Sequence, residues 1–362
     1  MLSSVEWGEY RIGDLFEVKG TLSFNKEALV SGDEYDYVTR TSQNQGILQT
    51  TAFVNKENLN EAGTWSLGLL QMDFFYRQRQ WYAGQFVRKV VFKGSLPNGS
   101  ISFFTTVLNA LKPKLLSVLV RDVNKTFLDS YIQLPTRDGA IDFMFMERFV
   151  AELKAQRVAE LKAYLAVTGL SDYTLTPEEQ QAIQHFQEGN LQWGKRTFRS
   201  IFNHIKQGRR LKKDDQQKGS LPFVMSGVSN TGVVSHISNP IVIVPSNSIT
   251  IDIFGNSFYR NYSFGAGDDT GVYWSTERKY SKSQMLFFTT AMGRSLFGQY
   301  SYGNKLRSSQ SLNFKMSLIE KGGEIDYNYM ETFIRAIEKL VIRDVVLYAD
   351  RELAATEQVI NQ

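Results

Sequence analysis

The chain is written twice, and that constrains its fold more than any other feature of the sequence. Trp7, Gly8 and Phe16 return as Trp193, Gly194 and Phe202. At the same offset, Tyr37–Leu48 lies on Phe223–Val234, sharing an apolar lead-in, an Asn and a Gly. Phe75-Tyr76-Arg77 matches Phe258-Tyr259-Arg260, Ala83-Gly84 matches Ala266-Gly267, and Phe103-Phe104-Thr105-Thr106 matches Phe287-Phe288-Thr289-Thr290. The last block is the strongest: Leu134, Gly139, Ile141, Asp142, Met146, Glu147 and Phe149 recur as Leu318, Gly323, Ile325, Asp326, Met330, Glu331 and Phe333. A period near half of 362 residues is far too long for a solenoid, whose units run to about 45 residues. The reading is two homologous halves, each long enough to bury its own core.

Within each half the order is the same. Short β-rich segments with Gly and Asn turns come first, as in 241–254, and the aromatic content of 13% beside 27 Gly and only 7 Pro suits strands joined by tight turns. A helix then closes the half. In the first, Met146, Phe149, Val150, Leu153, Leu161, Tyr164 and Leu165 follow helical spacing. In the second, Met330, Phe333, Ile334, Ile337, Val341, Val345 and Tyr348 do so. Asp142 and Asp326 stand where a short carboxylate caps the first free N–H groups. Between the halves, Thr176-Pro177-Glu178-Glu179 reads as a capping box that opens a short helix stopped at Gly189. The expected architecture is α+β: a tandem pair of mixed α/β domains at 1–141 and 192–325, each followed by a long helix at 142–167 and 326–361, with a linker at 168–191. The two helices are suited to bury their apolar stripes on each other.

Enzyme signatures are missing from the sequence. The absence of Cys removes thiol catalysis, disulfides, iron–sulfur clusters and Cys-ligated zinc. His185, His204 and His236 have no metal-ligand spacing, there is no phosphate loop, and no G-x-S-x-G elbow appears. Gly265–Gly271 lacks the strand–turn–helix setting of a dinucleotide site, and Asp268-Asp269 reads as a solvated turn. Asn239-Pro240 lacks the following aromatic of an amino-methyltransferase motif. No catalytic, metal or cofactor site is expected. No apolar run is long enough to span a membrane, the first residues lack the pattern of a signal peptide, and a cytoplasmic protein is expected.

What remains is a set of polar loops suited to nucleic acid, for which a net charge of +4 is permissive. Arg40, Thr41, Ser42, Gln43 and Asn44 offer donors and acceptors for base edges, and Ser226, Ser229 and Asn230 occupy the same stretch of the second half. Tyr76, Arg77 and Arg79 face Tyr259 and Arg260 across the repeat. Arg209, Arg210, Lys212 and Lys213, and then Lys305, Arg307 and Ser308, supply groups for phosphates. Scaffold positions (Trp, Phe, Gly, Leu) are shared between the halves while exposed polar positions differ, as expected if two copies bind different sequences.

Taken together, Trp7–Phe16, Tyr37–Leu48 and Leu134–Phe149, each with its counterpart, resemble the specificity subunits of type I and type IIB restriction-modification systems, over essentially the whole chain. The resemblance implies a non-catalytic reader of double-stranded DNA in which each target-recognition domain reads one half of an interrupted site. It implies that the two helices pack as an antiparallel coiled coil that sets the spacer. Two methyltransferase subunits, which carry S-adenosylmethionine, would dock on this scaffold, joined in type I systems by restriction (translocase) subunits. A length of 362 residues is compact for type I, so a type IIB partner stays open. The alternative is a duplicated β-rich carbohydrate-binding or hydrolytic protein, because aromatic loops also suit sugars.

Overall fold

The structure, a computed structural model, describes residues 2–360. The chain divides into two units: one holds the residues up to Tyr164 together with those from Tyr348 onward, and the other holds Leu165–Leu347. Both are built to one plan. In the first, Glu6–Arg11, Tyr131–Arg137 and Ala140–Ile141 form a three-stranded antiparallel sheet with Gly8 opposite Leu134. In the second, Gln192–Thr197, Lys315–Lys321 and Glu324–Ile325 do the same with Gly194 opposite Leu318. Two of the sequence repeats, the Trp-Gly pair and the block starting at Leu134, are therefore partners across one ladder.

Each unit adds two four-stranded sheets. The first unit orders Phe16–Gly20, Val87–Phe92, Thr64–Gly68 and Asp73–Arg77 in an antiparallel sheet, which His204–Gln207, Thr270–Trp274, Ser248–Asp252 and Ser257–Arg260 reproduce in the second. The other sheet runs Ile47–Thr51, Tyr35–Val38, Trp81–Ala83, Leu59–Asn60, with its middle pair parallel. Its counterpart is Val233–Ile237, Lys218–Val224, Phe264–Ala266, Ile243–Val244. Parallel middle strands are covered on both faces, and Trp81, Tyr82 and Ala83 are accordingly fully buried.

A helix packs on the antiparallel sheet of each unit: α1, Ile101–Ala110, in the first, and a longer one, Lys282–Leu296, in the second. The cores share equivalent positions at their centres. Phe16, Phe104, Leu134 and Met146 are buried in one cluster, and Phe202, Phe288, Leu318 and Met330 in the other. Phe16 meets Phe104 edge-on at 5.8 Å, and Phe202 meets Phe288 edge-on at 5.9 Å. Truncating one of these rings to Ala should cost about 3–5 kcal/mol.

The closing helices begin where the caps were expected. In α2, Phe143–Val167, the Phe145 N–H donates to Asp142 Oδ1 at 2.9 Å. In the second unit α3 is Pro177–Gln187 and Lys282–Leu296 is α4, while α5, Tyr327–Ile360, starts in the second unit and ends in the first. The Tyr329 N–H donates to Asp326 Oδ1 at 2.9 Å. The capping box at Thr176 and Glu179 is complete, and the chain leaves α3 through Gly189 at φ +72°. Residue 361, the end of the expected second long helix, lies outside the described residues.

The linker is docked. Tyr329 on α5 donates to the Ala182 carbonyl on α3 at 2.6 Å, Phe186 lies 4.7 Å from Phe333, and Lys339 pairs with Asp172 and Glu179. Within the first unit α2 meets the end of α5. Lys154 pairs with Glu352 at 3.7 Å and Lys162 with Asp350 at 2.9 Å. Ala151 and Val158 on α2, and Ala349 and Thr356 on α5, are buried at seven-residue intervals, the repeat of a coiled-coil seam. No helix among the described residues is long and apolar enough to cross a membrane.

Candidate nucleic-acid interface

The polar loop singled out in each half leaves the parallel middle strand at a register shift, after Tyr37 in one unit and Phe223 in the other. Its neck is closed by a backbone bond from the Thr39 N–H to the Gly46 carbonyl at 2.8 Å, and from Met225 to Gly232 at 2.9 Å. Between these ends the chain takes three left-handed residues in a row. Asn44 sits at φ 46°, ψ 44°, Gln45 at φ 53°, ψ 31°, and Gly46 at φ 80°. The second unit has Asn230 at φ 46°, ψ 37°, Thr231 at φ 51°, ψ 28°, and Gly232 at φ 83°. A left-handed residue other than glycine costs about 1–2 kcal/mol, so such a run persists only where its surroundings hold it.

Two supports hold it. One is local: Asn44 Nδ2 donates to the Ile47 carbonyl at 3.2 Å, and Asn230 Nδ2 to the Val233 carbonyl at 3.2 Å. An Asn tolerates this backbone because its short amide can bond to its own loop. The other support is a buried arginine. Arg77 is 2% exposed and donates from Nε and Nη2 to Ser66 Oγ at 2.9 and 2.7 Å, and from Nη2 to the Gln45 carbonyl. Arg260 is fully buried and donates from Nε to Thr250 Oγ1 at 3.1 Å, from Nη1 to Thr231 Oγ1 at 3.0 Å, and from Nη2 to the Thr231 carbonyl. Each guanidinium also lies over the ring two residues before it, Phe75 at 5.7 Å and Phe258 at 5.3 Å. Burial pushes the Arg77 guanidinium down to about 10, against a partly offsetting pull from Asp36, and burial pushes Arg260 down as well.

This corrects the expectation that Arg77 and Arg260 face DNA. Both are enclosed, with their donors turned to protein acceptors, because a buried charge must be satisfied from within. Tyr76 and Tyr259 are likewise half-buried scaffold. Tyr76 packs edge-on against Trp65 at 4.9 Å, and Tyr259 donates to Asn247 Oδ1 at 3.0 Å. Ser308 is also corrected: it is buried, its N–H donating to Gln207 Oε1 at 2.9 Å. Arg79 is partly exposed but ion-paired with Asp36.

The remaining residues are on the surface. Arg40, Ser42, Gln43 and Asn44 are exposed and Thr41 is half-exposed, with Arg40 resting 5.1 Å above the exposed Phe86 ring and Ser42 donating to Asp73. Ser229 and Asn230 are exposed, whereas Ser226 is half-buried and donates from Oγ to Asp269 Oδ2 at 2.8 Å. Arg209, Arg210, Lys305 and Arg307 are exposed; Arg307 reaches the Asp268 carbonyl at 2.7 Å, and Lys305 lies over Tyr302 at 4.5 Å.

Beside each loop the fold opens a cleft. The first, about 630 Å³, is lined by Lys26, Thr39, Arg40, Leu48 and Gly84. The second, about 640 Å³, is lined by Arg210, Lys213, Met225, Val234 and Gly267. Thr39 and Met225, Leu48 and Val234, and Gly84 and Gly267 are equivalent positions of the repeat, so this is one cleft occurring twice with different walls. Lys26, which starts a short 3-10 turn matched by Lys213–Asp215, went unnoticed in the sequence because no identity flanks it. Among the described residues no three His, Cys, Asp or Glu side chains are grouped to hold a metal.

The comparisons with known proteins agree with this duplicated design. The family described as the type I restriction modification DNA specificity domain matches residues 4–163 and again residues 190–346. The chain belongs to that family and carries one copy of its domain in each repeat. It is similar to the specificity subunit S.BcgI of a type II restriction enzyme from Heyndrickxia coagulans, 23% identical over 352 residues that cover 94% of this chain and 97% of that protein. Its fold is similar to a crystal structure of a type I restriction-modification S subunit from M. genitalium, with a TM-score of 0.58 at 13% identity, covering 99% of this chain and 95% of that one. The carbohydrate-binding or hydrolytic alternative has no support from these matches.

Proposed function

We propose that this chain reads a bipartite, interrupted site on double-stranded DNA for a restriction-modification complex, one half-site to each repeat, and leaves the chemistry to its partners. One observation carries the reading: the two repeats share the backbone of an exposed polar loop, its Asn and the arginine beneath it, yet present different side chains around that Asn. Exposed Arg40, Ser42, Gln43 and Asn44, with half-exposed Thr41, would meet base edges in one half-site, and Ser229 and Asn230 in the other. Arg209, Arg210, Lys305 and Arg307 would hold phosphates and fix the register.

The long helices supply the spacing in this reading. A helix of 25 residues such as α2 spans about 37 Å, close to one turn of B-DNA. The ion pairs and seven-residue burial of α2 and the end of α5 support an antiparallel coil acting as the ruler. Two methyltransferase subunits carrying S-adenosylmethionine would dock on this scaffold, with restriction subunits joining where the system is of type I. An exposed Trp, at Trp7 and Trp193, recurs in both repeats and supports two copies of one partner.

Domain exchange tests the proposal. Replacing residues 1–131 by the corresponding segment of another family member should change one half of the methylated motif and leave the other intact. A change in both halves, or in neither, overturns it. Binding should also weaken steeply with salt through counterion release.

A further inference from the structure

Arg77 and Arg260 recur in both repeats, are sealed from solvent, and bond to equivalent partners. Ser66 and Thr250, which anchor them, occupy the same strand position of the two units. The acceptors at the far end are the carbonyls of Gln45 and Thr231, each the middle member of its left-handed run. A guanidinium is a planar fork with donors at fixed angles, so it can bond a strand hydroxyl and a loop carbonyl at once. Ordering a left-handed tripeptide without such a grip is unfavourable.

We infer that Arg77 and Arg260 are positioning residues for DNA reading, each holding its loop tip in the one left-handed shape that aims the side chains at positions 43–45, and at 229 and 230, toward a half-site. This rests on the proposed DNA-reading role of the loops. Neither arginine touches DNA. Each acts through a backbone carbonyl and sets the geometry from which its loop reads.

The test is methylation of a randomised duplex library by the full chain with its methyltransferase partner, followed by sequencing of the methylated duplexes. Arg77→Met should relax base preference by about tenfold or more in one half-site and leave the other unchanged, and Arg260→Met should do the reverse. Ser66→Ala and Thr250→Ala, which free the anchored end only, should produce the same half-site-confined relaxation at lower amplitude. A purely architectural role predicts instead equal loss in both half-sites or loss of the complex with preference intact in what remains, and either result overturns the inference. Should Arg77→Met fail to fold, Ser66→Ala decides by the same criterion. Gln43→Ala separates the two levels. If it alters a half-site that Arg77→Met and Ser66→Ala leave alone, the positioning role falls and the DNA-reading loop stands; if none of them alters a half-site, the loop reading itself falls.

Discussion

The two loops agree where the backbone is concerned and part company everywhere else. Their left-handed angles differ by only a few degrees, and each rests on an arginine bonded to the same carbonyl position. The first loop is braced lightly, by Ser42 to Asp73 and by Arg40 lying on Phe86. The second is laced into its unit: Asp269 accepts from both the N–H and the hydroxyl of Ser226, and the buried Asp252 accepts from the Gly227 N–H at 3.0 Å. Its clamp also takes the Thr231 hydroxyl, where Gln45 offers only a carbonyl. Shape is held by what the repeats share, and chemistry is presented by what they do not.

Four experiments can break or sharpen that comparison. The largest expected effect is at the glycines that end the left-handed run. A Cβ at Gly232 would stand 2.6 Å from the Met225 carbonyl oxygen, whereas at Gly46 it would stand 3.2 Å from that of Thr39. Gly232→Ala should therefore cost about 3 kcal/mol and Gly46→Ala about 1–2 kcal/mol, measured by denaturant unfolding; equal losses would show that the second loop is no tighter than the first. Next is Arg40→Ala, expected to lose about 1–3 kcal/mol of discrimination at one base pair of one half-site. An unchanged methylated motif in that variant would remove Arg40 from the reading surface.

A smaller difference separates Thr231→Ala from Gln45→Ala. The first deletes a hydrogen bond to a buried charge and should cost about 1–2 kcal/mol, while the second should leave stability unchanged and alter only base preference. The last effect is silent at neutral pH. Burial raises the Tyr273 phenol to about 12, against a donor or acceptor contact with Ser311 Oγ at 2.8 Å. Its folded value lies above the unfolded value of about 10, so the neutral phenol's contribution is complete below pH ~10 and is lost as pH rises through about 12. Val90 holds the matching place on the first unit's sheet, opposite Trp65 as Tyr273 is opposite Ile249. Tyr273→Phe should move the alkaline unfolding midpoint of the second unit upward, read by fluorescence against pH; an unmoved midpoint would assign that transition to other groups.

The duplication, the Asp142 and Asp326 caps and the Thr176 capping box were legible because each is written in residues close together in sequence. The parallel pairing of Tyr35–Val38 with Trp81–Ala83 was not, since it joins segments some forty residues apart that share no periodicity. Arg77 was misread for a physical reason. In the string Tyr76-Arg77-Gln78-Arg79 it looks like one of several surface cations, and only the fold decides that Arg77, the last residue of its strand, is enclosed while Gln78 and Arg79, just past the strand end, are exposed. A signal was nonetheless present: Arg77 and Arg260 are identical in two halves whose exposed polar residues, the Asn44 and Asn230 pair apart, diverge, and identity across the repeat was the mark of scaffold. Ser308 lost its exposure to a 3-10 turn, Ser308–Asn313, whose backbone demands the sequence does not announce.

A clamp that grips a carbonyl is blind to which amino acid supplies it. Every residue has that oxygen in the same place, so Gln45 can be exchanged without asking Arg77 to change, while Thr231 also bonds its arginine through the hydroxyl. Such a loop is a socket into which evolution can fit new side chains at little risk to the fold. The two repeats are two drafts from that socket, and a library randomised at 43 and 45 or at 229, with Asn44, Asn230, Thr231, Gly46, Gly232 and both arginines kept, is the direct way to write a third.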